Sequence, residues 1–143
     1  VYDRDVTKFS IDEMVGSLSR LSVLDIIEKI TLFMDVTYVN PEESSGLLWD
    51  YPDLSEKISI LSSNSNGETS QLFNDKKHSF FTYSLLKGLS GNADDGDNII
   101  DLGEVTEYVY KSVPENIRNQ PGSLRQNPKF NGLDLKRVLL DLR

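Results

Sequence analysis

A chain of 143 residues, 38% hydrophobic and 27% charged, has the size and make-up of one soluble globular domain spanning 1–143. Its net charge of −8 argues against a nucleic-acid binder, and no apolar run approaches the roughly 20 residues that a membrane span needs. The absence of cysteine excludes disulfides, thiolate metal sites and cysteine nucleophiles. No signal-peptide pattern is visible, because Asp3, Arg4, Asp5 and Lys8 interrupt the start, so a cytoplasmic location is expected.

Val1–Asp5 reads as short and extended. Ser10-Ile-Asp-Glu13 has the form of a capping box, and the helix after it places Ile11, Met14, Val15 and Leu18 on one face and fades near Leu21. Ile30–Asn40 (I-T-L-F-M-D-V-T-Y-V-N) has the form of a buried strand running out into a loop, with Asp35 at the exit. Pro41–Pro52 reads as loop and holds Trp49, the only tryptophan. Ile58–Ser62 reads as a second buried strand, and the polar stretch Ser63–Asp75 as a surface loop. The spacing of Phe80, Phe81, Leu85 and Leu89 predicts a helix over His78–Leu89, weakened at Gly88. Gly91–Asp101 is an acidic loop. Val105, Tyr108, Val109 and Val113 predict a helix over Leu102–Val113, closed by Pro114. Gln120–Gly132 reads as irregular, and Arg137–Leu142 as a last strand or short helix.

Strands alternating with helices imply an α/β domain of three layers with a small, mostly parallel sheet flanked by helices. So small a sheet has an exposed edge unless something covers it, which points to a homodimer or a complementary chain. Charge is uneven: residues 118–143 hold six basic and two acidic side chains, the rest nine and 21. The simpler reading packs this basic tail beside the acidic body; the other makes it a dock for an acidic partner.

The order of a capped helix, I-T-L-F-M-D-V-T-Y, I-S-I-L-S-S, H-S-F-F-T-Y-S-L-L-K-G-L, an Asp/Gly loop, L-G-E-V-T-E-Y-V and Q-N-P-K-F-N-G suggests a family. It resembles the C-terminal portion of a caspase-like cysteine peptidase of the bacterial or metacaspase type, from about Phe9 to about Gly132. The resemblance implies a strand ending in Asp-x-Cys, with the Cys as nucleophile, and a partner His in a His-Gly turn after an earlier strand. Aligned on Asp35, the nucleophile position is Thr37; no His-Gly pair occurs, and the sequence starts too late to contain that upstream strand. A threonine hydroxyl is far less acidic than a thiol and needs a positioned base, and none is evident near Thr37. The resemblance further implies that Asp35 helps hold a basic substrate side chain; a purely local role, accepting hydrogen bonds from loop amides, is the alternative. It makes Ser62 and Ser63 candidate cleft residues. His78, the only histidine, aligns with the start of the family's H-x-x-F-T-Y element and is expected to be structural.

Ala93–Glu104 (A-D-D-G-D-N-I-I-D-L-G-E) has the look of a calcium loop, in which oxygen ligands alternate and a Glu closes. With Glu104 as position 12, Asp95, Asp97 and Asp101 take positions 3, 5 and 9. Position 1 falls on Ala93, so Asp94 would serve only in a loop one residue short. Position 6, normally Gly, is Asn98. The competing reading makes Asp101-Leu-Gly-Glu104 a second capping box, which needs no metal but leaves Asp94, Asp95 and Asp97 unexplained.

Three functions follow as expectations. The first is a caspase-like fold lacking the catalytic dyad that binds a peptide or protein without cleaving it. The second is a piece of a caspase-like endopeptidase whose other part lies elsewhere. The third is a calcium-stabilised interaction domain. No cofactor other than calcium is suggested.

Overall fold

Helix α1, Ile11–Ser22, leads into a five-residue strand β1, Ile30–Met34, in the computed structural model, which describes residues 11–36, 55–65, 67–122 and 124–143. The Ser10 half of the first capping box, Thr37 and Trp49 lie outside the described residues. Strand β2, Ile58–Ser62, pairs parallel to β1, with Ile30 opposite Ile58 and Met34 opposite Ser62. Strand β6, Lys129–Asn131, pairs antiparallel to the other side of β2. The strand order is therefore β1-β2-β6, with β2 in the middle and buried at all five positions. A strand buried on both faces has no polar side, which explains its I-S-I-L-S sequence of small and apolar residues.

Among the described residues parallel pairing is confined to β1 and β2, so the sheet expected to be mostly parallel is a mixed one there. The reason lies in Gln120–Gly132, which is irregular only as far as Pro128. Phe130 then packs against the core, and its strand returns antiparallel beside β2. Gly132 ends that strand at φ +155°, where an added Cβ would sit 2.6 Å from Ser59 Oγ and 2.9 Å from Ser59 Cα. Only glycine lets the β6 backbone come so close to β2.

Alternation along the strands sorts side chains between two clusters. Ile30, Leu32, Met34, Ile58 and Ile60 meet Met14 and Leu18 of α1. Phe33, Leu61 and Phe130 instead join a larger cluster made by α2, Phe80–Lys87, and α3, Leu102–Arg118. Helices thus pack on both faces of the small sheet. Phe80 and Phe81 are each 1% exposed, and burying a ring of that size contributes about 2–3 kcal/mol.

Two helices differ from the sequence expectation. His78–Ser79 form a short strand, β4, paired with β3, Leu72–Phe73, and Ser79 caps α2 by accepting from Thr82 N at 2.8 Å. The far end of α2 opens into a wide turn, Gly88–Asn92, with Gly91 at φ +106°. Helix α3 runs straight through Pro114 to Arg118. Proline there forfeits one backbone bond, but Val105, Val109, Val113 and Ile117 form an unbroken buried stripe, and burial of Val113 and Ile117 outweighs the loss.

Strand β5, Ile99–Asp101, pairs antiparallel with β7, Val138–Asp141, which resolves the last segment as a strand. The basic tail meets the acidic body at one pair among the described residues, Lys136 with Asp101 at 3.1 Å; the pair between Lys29 and Asp134, at 3.2 Å, joins the same two parts with the charges reversed. Arg143 instead pairs within the tail, with Asp141. Among the described residues no helix is long and apolar enough to cross a membrane.

Candidate functional site

Asp35 leaves β1 one residue after its end, on the side where β2 also ends. Crevices at strand ends collect function because loops converge there. The Asp35 side chain is exposed, and it accepts from three hydroxyls. Ser70 Oγ donates to Oδ1 at 2.5 Å; Ser79 Oγ and Thr82 Oγ1 donate to Oδ2, the latter at 2.6 Å. Among the described residues the side-chain donors to Asp35 are thus hydroxyls. Ser79 is also the cap of α2, so the carboxylate sits at that helix's positive end, where negative charge is favoured.

The wall behind Asp35 is a continuous polar network. Ser63 N extends the strand pairing by donating to Met34 O at 2.8 Å. Ser63 Oγ accepts from Val36 N at 3.1 Å, and its one proton faces Asn64 Oδ1 at 2.5 Å and Val36 O at 3.2 Å. Ser62 Oγ donates to Asn64 O. Ser62 and Ser63 are both fully buried, so they brace the crevice from behind rather than line it. Asn64 is buried as well, which corrects the reading of Ser63–Asp75 as surface from its first residue. Polarity there signals internal hydrogen bonding.

Gln126 joins this wall to the loop before β6. It is 1% exposed, donates from Nε2 to Ser63 O at 2.9 Å, and accepts from Gln71 N at 3.0 Å. The Gln71 side chain closes a ring with the Leu124 backbone, donating to its carbonyl at 2.6 Å and accepting from its N–H at 2.8 Å. Glu68 clamps the same loop by accepting from Asn127 N and Nδ2 at 2.6 and 2.5 Å. Ser70, Ser79, Thr82, Gln71 and Gln126 were not legible as site residues. Only Ser79 carried a signal, as a cap three residues before Thr82 in the H-S-F-F-T-Y segment. His78 is exposed on β4.

The acidic loop contains both arrangements weighed from sequence. The capping box is complete: Asp101 Oδ1 accepts from Glu104 N at 2.9 Å, and Glu104 Oε2 accepts from Asp101 N at 2.8 Å. Asp94, Asp95, Asp97 and Glu104 also converge, with one carboxylate oxygen from each within 4.8 Å of the others. Asp101, the fifth candidate ligand, is not in this group. Capping α3 and pairing with Lys136 direct its carboxylate elsewhere. Asn98 takes φ +64°, the left-handed turn for which a calcium loop normally uses Gly. Loop amides already use part of the acceptor capacity. Asp94 Oδ1 receives Gly96 N and Asn98 N, Asp97 Oδ1 receives Ile99 N, and Glu104 Oε1 receives Asp95 N. A carboxylate offers about four acceptor sites, so oxygens remain for a cation. Among the described residues these four form the group that could hold one.

Two exposed ion pairs set the local electrostatics of the tail. Arg143 hydrogen-bonds Asp141 and lowers that carboxyl from its ordinary 3.8 to about 2. The hydrogen bond to Asp101 pushes the Lys136 ammonium up from its ordinary value.

Comparison with protein-family models, with curated proteins and with solved structures gives no match to this chain.

Proposed function

We propose that this chain is a non-catalytic module of caspase-like fold that binds a peptide or protein segment at the crevice around Asp35, engaging a Lys or Arg side chain there. The carrying observation is an exposed carboxylate at a strand exit, held by Ser70, Ser79 and Thr82 at the start of α2. Among the described residues three donors use the carboxylate, one on Oδ1 and two on Oδ2, of its roughly four acceptor sites. Such a cluster suits a guanidinium or ammonium. Helices on both faces of the sheet, with Asp35 after β1 and a capped helix at the crevice, support the three-layer caspase-like arrangement within this reading.

Hydrolysis is a poorer reading. The sequence holds no cysteine, and a carboxylate is too weak a base to ionise the alcohols that donate to it. The test has two arms. A fluorescein-labelled Arg-containing peptide should bind, with Kd rising at least tenfold in Asp35→Asn, and fluorogenic peptides ending in Arg or Asp should show no turnover. Cleavage that disappears in Thr37→Ala would overturn the proposal. Cleavage gained on Thr37→Cys, or on adding an upstream segment, would turn the assignment to a piece of a caspase-like endopeptidase.

The convergence of Asp94, Asp95, Asp97 and Glu104 favours a second reading, in which calcium stabilises an interaction domain. A ligand that binds only the folded state raises its stability, so Tm should rise with calcium and fall with chelator. An unchanged Tm at millimolar calcium would remove this reading.

A further inference from the structure

The loop that Gln71 and Gln126 pin down also shapes a cavity of about 260 Å³ at the end of α3, lined in part by Gln126 and Asn127 but by none of the three hydroxyl residues that hold Asp35. Pro114, Ile117, Arg118, Gln120, Leu124 and Arg125 contribute to its lining. Its two arginines belong, with Lys76, Lys77, Lys87 and Lys129, to the cations without an ion pair among the described residues. Lys29, Lys111, Lys136 and Arg143 each meet a carboxylate, while Arg20, Lys57 and Arg137 bond to a hydroxyl or to carbonyls. Arg118 and Arg125 have neither ion pair nor hydrogen bond among the described residues.

What sets the two arginines apart is that both line one cavity to whose lining, among the described residues, no carboxylate contributes. The position of Arg118 in the last turn of α3 suits the helix dipole, which accounts for one arginine and leaves Arg125 unexplained. Leu124 shares the same lining and is 67% exposed although its backbone is fixed at both N–H and C=O by Gln71. A backbone held in that way loses little entropy when a ligand docks. Planar guanidinium forks match carboxylates bidentately, and the Gln120 amide offers both a donor and an acceptor at the rim.

We infer that this cavity is a docking site for an acidic peptide segment of a partner protein, with Arg118 and Arg125 taking carboxylates and Leu124 meeting an apolar side chain of the same segment. Charge complementarity selects this occupant: residues 118–143 carry six basic and two acidic side chains. Repulsion from the rest of the molecule disfavours a long polyanion such as RNA, but acts far less on a short segment seated within a Debye length of the arginines.

The probe is fluorescein-labelled Glu-Glu-Leu-Glu-Glu, followed by fluorescence anisotropy, with a 1H–15N NMR titration to place it. Saturable binding is expected, with amide shifts concentrated in residues 117–127. Kd should rise at least tenfold in Arg118→Gln/Arg125→Gln and change less than twofold in Lys77→Gln/Lys87→Gln, whose lysines are exposed elsewhere. Gln-Gln-Leu-Gln-Gln should not bind, and Asp35→Asn should leave binding intact, which keeps this site separate from the Asp35 reading. Circular dichroism of the arginine variant should overlay the parent spectrum, since both side chains are exposed. The inference is overturned by absence of saturable binding, by equal affinity in the arginine variant, or by displacement of the peptide with equimolar inorganic phosphate, which would indicate a general oxoanion site.

Discussion

Gln126→Leu tests whether the glutamine wall holds the crevice together. Leucine nearly matches the volume of glutamine, so the change removes hydrogen bonds without opening a large cavity. Two bonds disappear, the 2.9 Å donation to Ser63 O and the 3.0 Å acceptance from Gln71 N. Each buried polar group left without a partner costs about 1–3 kcal/mol. The Ser63 carbonyl belongs to a fully buried residue and falls at the upper end, whereas Gln71 N–H is half-buried and falls at the lower. The apolar gain from leucine offsets about 1–2 kcal/mol, leaving a net loss of about 2–3 kcal/mol. For a domain of this size that corresponds to roughly 5–10 °C in Tm. Urea denaturation followed by far-UV circular dichroism measures it by linear extrapolation. Gln71→Leu removes the neighbouring member of the same network, so the double variant should lose less than the two singles added. A loss below about 1 kcal/mol, matching Gln120→Leu at the cavity rim, would refute the reasoning, because Ser63 O would then have found another partner.

Three further outcomes follow from particular contacts. Gly132→Ala forces a Cβ to within 2.6 Å of Ser59 Oγ and 2.9 Å of Ser59 Cα, so overpacking should lower stability by about 1–3 kcal/mol in the same urea assay. Asp101→Ala removes the α3 cap and should cost about 1–2 kcal/mol, while Asp101→Asn keeps an acceptor and should cost clearly less; equal losses would mean that the Lys136 pair, not the cap, matters. The folded-state pKa of Asp141 lies at about 2, below its ordinary 3.8, so its contribution is present above 3.8 and is lost as pH falls through about 2. Carboxyl NMR should place its midpoint near the lower value and return it toward 3.8 in Arg143→Gln.

Local signals and their limits explain what could be read in advance. Ile58–Ser62 was legible to the residue because an apolar run flanked by turn residues has few alternatives. Asp101 and Glu104 were legible as a capping box because caps act across three residues. The end of α3 was misplaced because a proline rule is local, whereas the stripe through Val113 and Ile117 gains its energy from α2 and the sheet. His78–Ser79 read as helix for a similar reason: their conformation is set by pairing with Leu72–Phe73, which no local window contains.

The candidate site divides along the same line. Asp35 could be located because a strand exit is visible in the order of residues. The Asp94–Glu104 loop could be located because its acids are neighbours in the chain. The hydroxyls that hold Asp35 come from 35, 44 and 47 positions away, and Gln126 reaches Ser63 across 63. Composition and periodicity were enough to specify an acidic α/β chain with a carboxylate at a strand end. Which side chains surround that carboxylate, why Ser63 and Asn64 are buried, and which arginines stay unpaired depended on packing distant segments together, because a hydrogen bond extends about 3 Å in space and is indifferent to separation along the chain.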